Sequence, residues 1–150
     1  MANRIFRSAR RDPRTISDRT VSGALLPATA VFVGATQLTQ ATAASGGRLA
    51  LLGDREFYGL GITTATDPLL TPYASGETGI AYLLEPQDEV QWAMAAGTYT
   101  NGQELTVGAA GRLTAATTGA VVVAHFDQAG GTFAAGALAD VCVANHYTKA

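Results

Sequence analysis

From Val21 onward the apolar residues fall in short runs separated by glycine, proline and polar turn residues. Runs of this length with β-branched content predict strands at residues 30–34, 48–52, 57–63, 78–84, 90–95, 104–107, 111–115, 120–126 and 137–144. Several alternate. Val90, Trp92 and Met94 share one face while Gln91 turns to the other, and Val141 and Val143 oppose Asp140, Cys142 and Ala144. Pro86 and the acidic residues after it, with Gly97 beyond, would also frame a helix over residues 90–96. The period-two spacing favours a strand, with Trp92 in the core. Asn101-Gly102 predicts a hairpin turn of type I′. Strands do not alternate with helical stretches as in a nucleotide-binding α/β fold. The expected fold class is therefore all-β, a small β-sandwich or barrel at residues 23–150, preceded by an extended, arginine-rich N-terminal arm at residues 1–22.

That arm is marked by charge. Six of the ten cationic residues lie in the first nineteen positions: Arg4, Arg7, Arg10, Arg11, Arg14 and Arg19. Only Asp12 and Asp18 oppose them, so a +4 arm precedes a −6 body and the chain sums to −2. Ile5, Phe6 and Ile16 are the arm's large apolar residues, and Pro13 blocks a continuous helix. Alone, such a segment buries too little surface to offset its ordering entropy, so it is expected to stay extended until bound. Removing residues 1–20 is accordingly expected to leave the body folded. Guanidinium groups pair bidentately with carboxylates or phosphates. Docking on an acidic protein surface, a solvated tail and nucleic-acid binding are the three readings. Interleaved Asp12 and Asp18, and the acidic body, count against nucleic acid.

Length and composition narrow the classes further. The 150 residues fit one domain, and 47% hydrophobic content supports a core. No run approaches the ~18 apolar residues of a membrane span. The basic start has no apolar segment behind it, so no secretory signal is expected. A single cysteine, Cys142, excludes an internal disulfide and a multi-cysteine zinc site.

Catalytic patterns fail one by one. His125 and His146 lack metal-ligand spacing, and Cys142 with His146 makes a poor nucleophile–base pair. Asp54 and Glu56 read as a solvated turn. Glu85, Asp88 and Glu89 form the densest acidic cluster but lack calcium-loop spacing, and fit a solvent-facing turn or an acidic contact for a neighbouring subunit's arginine arm better. Gly59-Leu60-Gly61 lacks the rest of a phosphate loop. The aromatics do not interleave with cations as in a single-strand binder. No enzyme activity, metal or cofactor is expected.

The second half, EVQWAMAAGTYTNGQELTVGAAGRLTAATTGAVVVAHFDQAGGTFAAGALADVCVAN, runs as a strand, G-x-x-x-x-G, L-x-V, G-R-L, a second strand, a turn and a Val-rich strand. Together with the earlier FYGLGITTATD, this pattern resembles the small capsid cement (decoration) proteins of tailed bacteriophages, over roughly residues 28–145. The resemblance implies a β-rich domain on the outer surface of the virion capsid. Such a domain bridges adjacent major capsid proteins and assembles with itself, with a trimer favoured. It also implies that an extended arm takes part in capsid binding, here through Arg4, Ile5, Phe6, Arg7, Arg10, Arg11, Arg14, Ile16 and Arg19. The arginine content of this arm departs from the family. A tail or connector subunit of β type is the alternative. A carbohydrate-binding sandwich is a further one, with Tyr73 or Tyr99 as its exposed aromatic.

Overall fold

The computed structural model describes residue 5 and residues 13–55 and 68–150. Twelve strands build three sheets. In chain order they are β1 (Arg14–Val21), β2 (Ala30–Val33), β3 (Gln37–Gln40), β4 (Leu49–Leu52), β5 (Thr78–Leu83), β6 (Glu89–Ala93), β7 (Gly97–Tyr99), β8 (Glu104–Val107), β9 (Leu113–Ala115), β10 (Val121–Phe126), β11 (Gly131–Phe133) and β12 (Leu138–Thr148). A closed barrel has the order β1-β3-β2-β4-β5, a second sheet the order β6-β12-β10-β8-β9, and β11 pairs β7 in a ribbon. The all-β expectation holds, and the first sheet closes into a barrel.

The runs of the barrel strands explain how the two sheets join. In β2 and β4 consecutive residues are buried, so both faces must be covered. Val31, Ala50 and Leu52 fill the barrel with Val21, Leu38, Tyr73 and Ala81. Ala30 and Leu51 belong instead to the larger core, which they share with Val90, Trp92, Leu105, Val123, Phe126 and Val143 of the second sheet. Two glycines make these approaches feasible. A Cβ on Gly79 would lie 2.5 Å from Val21 Cγ2 inside the barrel. Gly111, at φ +67°, sits on the seam, where a Cβ would meet Gln40 and come within 2.5 Å of the Ala30 carbonyl. The Trp92 indole N–H donates to the Gly111 carbonyl at 3.1 Å, tying β6 to the same turn. At the far end Tyr99, Phe126 and Phe133 pack with centroids 5.5–6.0 Å apart and hold the β7–β11 ribbon.

Several expectations need correction. Residues 14–21, assigned to the free arm, form β1, which pairs β5 along most of its length and β3 at Thr20 and Val21. Its polar sequence hid a strand that is held by barrel closure, so removing residues 1–20 would open the barrel. Asn101-Gly102 does turn, with Gln103 N–H donating to the Thr100 carbonyl, but only Gly102 takes a positive φ. That is not type I′ geometry, and β7 and β8 pair β11 and β10, respectively, and not each other. Residues 90–93 lie in β6, so the strand reading was right over the helix. Gln91 faces away from the core as expected, yet is only 7% exposed. The strand expected at residues 57–63 lies outside the described residues.

Candidate functional site

The structure describes four of the nine arm residues. Arg14, Ile16 and Arg19 lie on β1, while Arg4, Phe6, Arg7, Arg10 and Arg11 fall outside the described residues. Ile5, expected as an anchor for a partner, is 3% exposed within this chain's own core, and its carbonyl accepts the Gln91 N–H at 2.6 Å. Arg19 is engaged locally. It pairs with Asp18 and donates from Nε to the Gly34 carbonyl at 3.1 Å.

Arg14 is different. It lines a cleft of about 230 Å³ with Arg48 and the Leu49, Leu84 and Glu85 wall. The β4–β5 register sets this wall: Leu51 opposes Tyr82, so the chain two residues away brings Leu49 to Leu84. Among the described residues neither Arg14 nor Arg48 has a carboxylate within salt-bridge distance, in contrast to Arg55, which holds Glu77 at 2.8 Å. A smaller cavity of about 40 Å³ adjoins the cleft and shares Leu49 and Leu84 with it. Trp92, Val123 and Val143 add to its apolar lining, and His146 also lines it. The two are neighbouring compartments of a seam groove between barrel and sheet, one lined by cations and the other mainly by apolar side chains, with Leu49 and Leu84 common to both. Sequence inspection missed it because Arg48 counts as an isolated body cation until β1, β4 and β5 are adjacent.

The acidic cluster is brought together in one turn. Asp88 Oδ2 accepts the Glu85 N–H at 2.8 Å, so one carboxylate serves the turn's own backbone, while Glu89 is exposed at the start of β6.

A second constellation emerges only from strand register. Glu89 opposes Cys142, Cys142 opposes His125, and His125 opposes Glu104, which places all four on one face across β6, β12, β10 and β8. Sequence spacing had offered His146 as the partner of Cys142 instead. The geometry does not activate the thiol. Cys142 Sγ approaches Gln87 Oε1 at 4.0 Å, and His125 Nε2 lies 3.1 Å from the Tyr147 hydroxyl. Burial pushes the thiol pKa up, and Asp127, Glu89 and Asp88 push it in the same direction, the reverse of what a nucleophile requires. Tyr147 donates to Glu104 Oε1 at 2.7 Å and Lys149 bridges Glu104 Oε2 at 2.9 Å. These contacts hold the Glu104 carboxyl below the usual range, with the Tyr147 hydrogen bond the larger cause. The row is a polar ladder stitching three strands. Among the described residues no group of three His, Cys, Asp or Glu side chains could hold a metal ion.

The two aromatics offered for sugar stacking are unavailable to a ligand. Tyr73 and Tyr99 are each 2% exposed, and their hydroxyls donate to the Asp54 and Ala95 carbonyls, both at 2.9 Å. Among the described residues no helix is long and apolar enough to cross a membrane. The chain matches no protein-family model, and no curated protein is significantly similar to it.

Proposed function

We propose that this chain is a structural, non-catalytic virion protein that binds the outer surface of a bacteriophage capsid and bridges adjacent major capsid proteins. The resemblance of its second half to capsid cement proteins is the source of the capsid assignment. The observation that carries the docking role is the pair Arg14 and Arg48 at the seam groove, neither of which has a carboxylate partner among the described residues, a cationic spot on a net-acidic body. Two such guanidinium groups suit an acidic protein surface, because each can form a bidentate charge-assisted pair with a carboxylate. The role calls for many copies and broad contact, with avidity from repeated engagement. Self-association, as a trimer, belongs to the same proposal.

The test is to purify particles with and without the chain and challenge them with heat. Particles carrying it should retain DNA at temperatures that burst particles lacking it. Equal thermal release from both would remove the stabilising role. A dozen or fewer copies at a single vertex would favour a connector or tail subunit.

A further inference from the structure

We infer that the seam groove is a docking site for an extended acidic–apolar segment of the partner protein, in which a carboxylate follows a branched aliphatic side chain. The inference rests on the docking role proposed above and names its contact chemistry. The cationic end is set by Arg14 on β1 and Arg48 immediately before β4. Glu85 on the same wall leaves the cleft with a net positive charge. One carboxylate placed between the two guanidinium groups would complete an arrangement the described residues leave open.

The apolar end sets the neighbouring residue. Its cavity of about 40 Å³ is roughly three times the ~10–15 Å³ that one water needs. That admits the branched end of a Val or Leu side chain. Leu49 and Leu84 border both compartments, so the apolar and acidic groups must lie close together on the ligand. A phosphate or nucleic-acid backbone would satisfy the arginines and leave the cavity unfilled, which is why a peptide is the occupant.

The experiment titrates the isotope-labelled full chain with N-acetyl-Leu-Glu-amide and follows amide, arginine Nε–H and indole resonances by NMR. Shifts should appear at Trp92, Leu49 and Leu84 and at the Nε–H of Arg14 and Arg48, with affinity on the order of 1 mM. N-acetyl-Leu-Gln-amide should bind at least about fivefold more weakly, as should the doubly substituted Arg14→Ala, Arg48→Ala chain, whose unchanged melting temperature would show it folded. Equal binding of the Gln peptide, equal binding by the double variant, or no shift in the groove would overturn the inference. Inorganic phosphate producing the same shifts, Trp92 included, would make the site a general anion site and overturn it too. Because this assay needs no capsid, its outcome is separate from the capsid assignment. Groove binding by a chain absent from virions would sink the assignment alone, and full capsid occupancy by the double variant would sink the groove alone.

Discussion

Trp92 is where the two sheets and the seam turn meet, so its truncation measures how much of the fold depends on that junction. The side chain is 2% exposed in the shared core, and its indole N–H holds the buried Gly111 carbonyl at 3.1 Å. Trp92→Ala removes the packing and leaves a cavity, at a cost of about 3–5 kcal/mol. Trp92→Phe keeps most of the ring contacts but orphans the Gly111 carbonyl, a penalty of about 1–3 kcal/mol. For a chain of this length each kcal/mol lowers the melting temperature by about 2–4 °C, so the alanine variant should melt roughly 6–20 °C earlier. Urea unfolding followed by far-UV circular dichroism is the assay, since Trp92 is the sole tryptophan and its fluorescence is lost in both variants. The slope against urea should stay constant, showing that stability and not compactness has changed. A loss below about 1 kcal/mol for Trp92→Ala would refute the placement of this side chain at the centre of the core.

Other consequences follow from the same contacts. Gly111→Ala combines a positive φ with a close approach to Ala30 and Gln40, and should destabilise by more than the ~1 kcal/mol usual for glycine replacement; a neutral result in urea unfolding would contradict the seam geometry. Deleting residues 1–20 should abolish cooperative unfolding by taking β1 out of the barrel, whereas a sharp transition near the parent's would show the barrel closes without it. Burial raises the Tyr73 hydroxyl to about 12 against 10.0 for a free tyrosine. Its folded pKa is the higher one, so its stabilising contribution is complete below pH 10 and is lost as pH rises toward 12. Ultraviolet titration should show one fewer late-ionising tyrosine in Tyr73→Phe, and an unaltered late phase would place that ionisation elsewhere. Arg14→Ala with Arg48→Ala should weaken capsid association more at low than at high salt, and a salt-independent loss would point to apolar contacts.

Strands with strong apolar runs were legible in the sequence. Residues 30–33, 49–52 and 121–126 carry Val, Ala and Leu in continuous stretches because they are covered on both faces or lie mid-sheet. The strands missed are those whose pairing outweighs their composition. β3 has one apolar residue, Leu38, fully buried in the barrel, while β7 and β11 are three residues each and depend on the Tyr99, Phe126 and Phe133 packing. β1 was obscured by its charge, since its Arg and Asp residues project outward while Val21 closes the barrel. The candidate site was the least legible part. Arg14 and Arg48 are 34 positions apart, and nothing in their local sequence brings them to one cleft. The Glu89, Cys142, His125 and Glu104 row likewise exists only once the register of four strands is known.

The proposed role in decorating a capsid stands or falls on where and how often this chain occurs on intact particles. Electron cryomicroscopy of purified virions, with copy number checked by quantitative mass spectrometry, would measure both. A capsid-decorating role requires hundreds of copies on the outer shell at local symmetry axes, each contacting more than one major capsid protein. Absence from the shell, or confinement to a single vertex, would contradict it.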